Sequence, residues 1–343
     1  MGDKAITGPY ADGRGAHAEG SRTFAQGYAS HAEGLDTEAL EHTSHAEGER
    51  TKASGKSSHA EGHGTIASEA YAHAEGIGTE ASGMASHAEG HRHSTYSRTV
   101  TIEDISFTGD GKAVGGASHR EGMNTSAIGK YTHAEGQGTC AYEEGAHAEG
   151  FNTNAVKVYS HTEGRETTTF GGYAHAEGWG TSAFGTGAHT EGFNTVASVN
   201  YTHAEGQETK ASGIAAHAEG FKTWADSQGA HAEGSEGGMG GWIPRDAAGN
   251  EVQYGPDENR KYLEILGPVA WNQGCHAEGI STFAAQNGSH AEGVCTEAVG
   301  YASHAGGEHT RATQSYQTAI GRYNADDNTA KFIVGVGTST IDR

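Results

Sequence analysis

The residues able to do chemistry in this chain come as a pair. A His is followed two residues later by a Glu, in the frame His-x-Glu-Gly, and the frame recurs every 14 residues. It occurs 17 times. The first run holds His17 and Glu19, His31 and Glu33, His45 and Glu47, His59 and Glu61, His73 and Glu75, and His87 and Glu89. The second holds His119 and Glu121, His133 and Glu135, His147 and Glu149, His161 and Glu163, His175 and Glu177, His189 and Glu191, His203 and Glu205, His217 and Glu219, and His231 and Glu233. The third holds His276 and Glu278, then His290 and Glu292. A degenerate copy, His304-Ala305-Gly306-Gly307, follows in register, and 14 residues later comes Thr318-Ala319-Ile320-Gly321.

An imidazole beside a carboxylate supports three kinds of chemistry. The plainest is a hydrogen-bonded or ion-paired ladder between chains. If the His donate to Glu, their folded pKa is raised. That stability would be present below the unfolded value near 6.5 and lost as pH rises through the folded one. The second is metal binding: three His columns around a symmetry axis offer nitrogen ligands to a transition-metal ion, with Glu as a further ligand. No other cofactor is implied. The third is general acid–base catalysis. Repetition in every unit suits a scaffold better than one active site, so no catalytic residue is assigned and the chain does not read as an enzyme.

The elements that must carry these pairs follow from the rest of the unit. Thr stands three residues after the motif Gly and Ala five after, as in Thr23 and Ala25 or Thr139 and Ala141. A Gly often follows two later, as at Gly27, Gly55, Gly83 and Gly213. Alternation with period two means strand. Two strands and two turns make one coil of a narrow roll, so the fold class is an all-β parallel β-roll, or β-solenoid, of 14-residue coils. Ser and Ala share one face of the first strand while His and Glu share the other. A two-strand coil leaves almost no interior, so the small residues must be inside. That accounts for only four Leu in the chain: Leu35, Leu40, Leu263 and Leu266. Coils stack at about 4.8 Å. Carboxylates at that spacing repel by roughly 1 kcal/mol in water and several-fold more at an effective dielectric near 20. Ala-sized contacts bury little apolar area against a backbone ordering cost of about 1–2 kcal/mol per residue. The His/Glu face is therefore expected to be covered by another chain.

The unit resembles the head repeat of trimeric autotransporter adhesins, Ser-Val-Ala-Ile-Gly-x-x-Ser-x-Ala-x-Gly, which also occurs in phage tail fibres and tail spikes. The segment Lys331-Phe332-Ile333-Val334-Gly335-Val336-Gly337-Thr338 is similar to the stretch that closes such repeats in phage tail proteins, often before a chaperone domain. The resemblance implies a left-handed roll and a homotrimer with the first strand facing the threefold axis. The family places Val and Ile at the subunit contact, where this chain places His and Glu.

Composition bounds the function. Asp and Glu number 44 against 22 Lys and Arg, a formal net charge of -22. Nucleic-acid binding and attraction to an anionic membrane are disfavoured. No segment is long and apolar enough to span a bilayer, and Met1-Gly2-Asp3-Lys4 carries no hydrophobic signal segment. Cys140, Cys275 and Cys295 are too scattered for a disulfide framework or a shared metal site. Outward Thr rows of the ice-binding kind are absent, since Phe24, Glu38, Lys52, Ile66 and Glu80 stand between Thr and Ala. The Gly-Gly-x-Gly-x-Asp units of calcium-binding rolls do not recur.

Two segments break the register. The sequence divides into roll repeats over 1–90, a hairpin-like insertion over 91–116, repeats over 117–234, an insertion over 235–274, repeats over 275–321 and a closing segment over 322–343. The second insertion carries Pro244, Pro256 and Pro268 and the aromatics Trp242, Tyr254, Tyr262 and Trp271, which are the candidate receptor-binding residues. The plainer expectation is that both insertions pack on the stem. Asp246, Glu251, Asp257, Glu258 and Glu264 offer carboxylates for glycoside cleavage, a weaker expectation. The combined reading is a structural, adhesive fibre protein: a trimeric phage tail fibre or tail-spike segment attaching to a host-surface polysaccharide or protein receptor. Other tail or surface proteins would be its partners, and its location the virion tail or the cell surface. The alternatives are a bacterial surface adhesin, or a polysaccharide depolymerase acting through the insertions.

Overall fold

The computed structural model describes residues 8–91, 98–102, 105–109, 112–235, 253–254, 261–262 and 267–337. Trp242, Asp246, Glu251, Asp257, Glu258 and Glu264 lie outside them. The chain is a parallel β-solenoid of about 20 turns, with no helix among the described residues. It comprises two units, residues 1–173 and 174–343.

Each coil contributes two strands. The five-residue strand holds the motif, as in His31–Leu35, and the two-residue strand holds the Ala of Thr-x-Ala, as in Glu38–Ala39. Pairing is parallel and advances by one repeat, so like meets like: His31 faces His45, Ala32 faces Ala46, Glu33 faces Glu47 and Gly34 faces Gly48. The second unit repeats this, with His203 on His217 and Glu205 on Glu219. A 14-residue period therefore writes straight columns of identical side chains.

The interior is made of the small residues that the alternation assigns to it. In the first unit Ala25, Ala32, Ala39, Ala46 and Ala53 are fully buried, and in the second so are Ala204, Ala211, Ala218 and Ala225. Thr23, Thr37 and Ser30 are also fully buried. Some inward hydroxyls donate to backbone carbonyls, while those of Thr23 and Thr37 have no hydrogen-bond partner. Thr79 Oγ1 donates to the Glu75 carbonyl at 3.0 Å, and Ser58 Oγ to the Gly55 carbonyl at 2.7 Å.

The motif Gly is demanded twice over. At Gly48 φ is +109°, outside the left-handed region near +57° that Asn or Asp tolerates. A Cβ there would sit 2.1 Å from the Gly62 carbonyl oxygen of the next coil. The turn two residues on is more lenient. Arg50, Asp36 and Asn124 occupy it at φ of 57°, 57° and 55°. This corner is mostly populated by residues other than glycine. At Gly27 a Cβ would lie 1.9 Å from the Glu41 carbonyl oxygen, so close approach is what requires glycine there.

Both insertions leave their own unit at the same point of the coil, between the motif strand and the Thr-x-Ala strand. In the first, Arg98–Ile102 pairs antiparallel with Ile105–Gly109. In the second, Gln253–Tyr254 pairs antiparallel with Lys261–Tyr262. Regular pairing resumes at Lys112–Ala113 and at Val269–Ala270, somewhat earlier than the sequence boundaries.

At the base of the first insertion one interior position breaks the small-residue rule. Arg120 takes the place of the motif Ala and is fully buried. Its Nε donates to the Thr125 carbonyl and hydroxyl at 3.1 and 3.0 Å, and its Nη2 to the Gly122 carbonyl at 3.0 Å. Arg120→Ala is expected to cost roughly 3 kcal/mol, from a cavity and unsatisfied carbonyls together. Faster hydrogen exchange at residues 88–91 and 122–125 would check it. Unchanged protection there would mean that Arg120 holds nothing.

The last coils are finished by the closing segment. Asn324 acts in place of a further two-residue strand. Its Oδ1 accepts from the Arg311 amide at 2.6 Å, and its Nδ2 donates to the Arg311 carbonyl at 3.0 Å. Arg311 in turn pairs with Glu297 at 2.7 Å and Asp326 at 2.8 Å. Phe332–Val336 forms the final motif rung, with Phe332 in the His column and Val334 in the Glu column.

Candidate functional site

The columns of His and Glu are the most regular chemical feature of the surface. Each is set by the strand pleat. Because Ala must point inward, the residues on either side of it must point out. In the first unit the rings of His31, His45, His59, His73 and His87 stack at 4.7–4.8 Å with interplanar angles of 2–12°. In the second, His189, His203, His217 and His231 stack at 4.6–4.8 Å. The rings of His87 and His119, which flank the first insertion, are instead tilted by 59°.

In most coils the ring Nε2 lies near the Glu of its own coil without a hydrogen bond to it. His133 Nε2 approaches Glu135 at 3.3 Å, but His31, His45 and His73 stay 3.9–4.0 Å from their carboxylates. That is too long for a hydrogen bond. The Nε2 atoms of His31, His45, His59 and His73 are shut off from solvent and have no hydrogen-bond partner.

Within a single chain the imidazole pKa shifts downward, opposite to the rise that donation to Glu would bring. His59, His87, His189, His217, His276 and His290 are all lowered, and His147 is lowered to about 4. Loss of water is the largest cause, repulsion from neighbouring His of the stack comes next, and the nearby Glu only partly offset both. Two charges 4.7 Å apart repel by roughly 3–4 kcal/mol at an effective dielectric near 20. A fully protonated stack is therefore costly. Burial and the neighbouring rings thus favour the neutral form of these seven imidazoles.

Three places bring ligand atoms within 4.8 Å of one another: His231, Glu233 and His276; His276, Glu278 and His290; and Glu75, His87 and Glu89.

The insertion aromatics are placed unevenly. Tyr254 and Tyr262 sit on the short antiparallel pair. Trp271 belongs to a regular coil. It packs against a cluster of Val269, Phe283 and Val299 on the outer side of the two-residue strands, with the Trp224 ring 5.9 Å away. That cluster is a feature sequence reasoning missed. Phe283 stands between Thr and Ala, where alternation assigns an outward side chain, yet it is fully buried. A second such cluster holds Cys140, Tyr142 and Val156. The available signal was consecutive apolar residues in one column: Val269 and Phe283 in one, Ile128, Tyr142, Val156 and Phe170 in another.

No protein-family model matches the chain, and no curated protein matches it. Functional reading therefore rests on the residues themselves. No helix among the described residues is long and apolar enough to cross a membrane.

Proposed function

We propose that the chain is a structural and adhesive fibre segment: a homotrimer of left-handed rolls whose His/Glu ladders face a common axis, with the insertions meeting a host-surface polysaccharide or protein. In this reading it serves on a phage tail or a cell surface.

The observation that carries the proposal is the last rung of the ladder. There Phe332 replaces His and Val334 replaces Glu, in the same columns, and they are 61% and 55% exposed. Ile320 precedes Val334 in its column. Water-exposed apolar side chains continuing a polar column mark a surface that is covered in the assembled protein. The half-buried rings above them fit the same cover. Arg120 apart, the coil interior holds little beyond Ala, Ser and Thr, so added burial has to come from outside it.

Carbethoxylation of native protein tests the assembly. Ladder His should be protected, while His42 and His63, which lie off the ladder and are exposed, should react. Equal reactivity would contradict a covered ladder. Deleting residues 236–266 tests the adhesive half. Host-surface binding should be lost while the assembly mass per chain count is kept. Release of new reducing ends from host polysaccharide would instead mark a depolymerase.

A further inference from the structure

Bringing ladders of identical chains together raises a question of charge. Each ladder repeats a carboxylate in its motif rungs, so assembly brings many acidic groups together. The chain has only half as many basic as acidic residues, 22 against 44. A compensating cation has to come from solution.

The ladder has the ligands for one. His231 Nε2 lies 3.8 Å from the Glu233 carboxylate, and His276 Nε2 4.0 Å from that of Glu278. An ion bound at about 2.0–2.2 Å to one nitrogen and one oxygen holds them about 3.4 Å apart at a tetrahedral angle. Closing the observed gaps takes a few tenths of an ångström. The Nε2 atoms of His231, His276 and His290 are away from solvent and carry no hydrogen bond. His276 stacks on His231 at 4.7 Å and on His290 at 4.6 Å, nearly parallel. One imidazole and the carboxylate of its coil can take an ion directly, and the next imidazole joins by turning about its Cβ–Cγ bond. The tilted pair His87 and His119 shows that ladder rings adopt such a turn.

We infer that His231, Glu233 and His276, or His276, Glu278 and His290, bind a divalent transition-metal ion of the zinc class. The triads share His276, so one ion occupies one or the other. Mixed nitrogen and oxygen ligands select such an ion over magnesium or calcium, which take oxygen. The charge argument rests on the proposed assembly, whereas the ligand geometry stands on a single chain. In the assembly, a ladder of another copy supplies the remaining ligand.

The test uses full-length protein purified without a metal column and stripped with EDTA. Zinc and magnesium are titrated calorimetrically, and sedimentation mass is measured on the same samples. Zinc should bind and magnesium should not displace it. His276→Gln should lose about one zinc per chain, while His42→Gln, an exposed His off the ladder, should lose none. If His276→Gln does not fold, the double variant Glu233→Gln with Glu278→Gln should weaken zinc binding in its place. Equal losses in both His variants, no zinc uptake, or displacement by magnesium overturns the inference. A trimer that binds no zinc contradicts the ion and leaves the assembly standing. Zinc on a single chain supports the ion and contradicts the assembly.

Discussion

Gly48→Ala is expected to destabilise its coils by roughly 3 kcal/mol or more, the combined scale of backbone strain and a steric clash that cannot relax. The methyl would enter the space of the Gly62 carbonyl at a φ of +109°. Because pairing is parallel and each rung leans on the next, the damage spreads to neighbouring rungs. Gly64→Asn is the matched comparison. Its φ is +66°, no atom lies within 4 Å of the added Cβ, and Asn already fills the equivalent site at Asn124, Asn152 and Asn194. It should change stability by no more than about 1 kcal/mol. Thermal unfolding of the two variants side by side checks the contrast. Equal losses would mean that the motif Gly answers to flexibility alone.

Acid should loosen the ladder. An unfolded imidazole titrates near 6.5, while rings such as His59, His147 and His217 accept a proton only at lower pH. Between the two values the unfolded chain binds more protons than the folded one. Stability is therefore full above about 6.5. It declines as pH falls through that value and stops declining only below the folded pKa, about 4 for His147. Many rings shift in the same direction, so the melting temperature should drop by several degrees or more between pH 7 and 4. Repulsion between protonated rings opposes stacking over the same range. Melting followed across that range checks it. A profile that is flat, or that falls as pH rises, would show ladder rings that are charged and paired instead.

Much of this fold can be read from residue order. Ala and Thr at fixed offsets, with almost no Leu, leave a narrow coil as the only packing solution, and Ala32 and Thr37 are buried as that reading requires. The His and Glu columns follow from the same alternation. The protonation behaviour does not. Adjacency of His and Glu suggests a pair, but a gap of about 4 Å and a stack of rings above and below decide the charge, and neither appears in a motif. Arg120 was hidden because its inward position is set by the carbonyls of Thr125 and Gly122 that it meets, which the motif does not show. The packing of Phe283 and Trp271 was not legible because lateral contacts along the outer face join residues of neighbouring coils, which alternation within one strand does not register.

Sedimentation equilibrium of the full chain tests the central claim most directly, namely that the ladder is an interface between three copies. A chain of 35.5 kDa should sediment at three times that mass, and Phe332→Glu with Val334→Glu should reduce the mass toward that of one chain. A native mass of 35.5 kDa, with the ladder open to solvent, would contradict it.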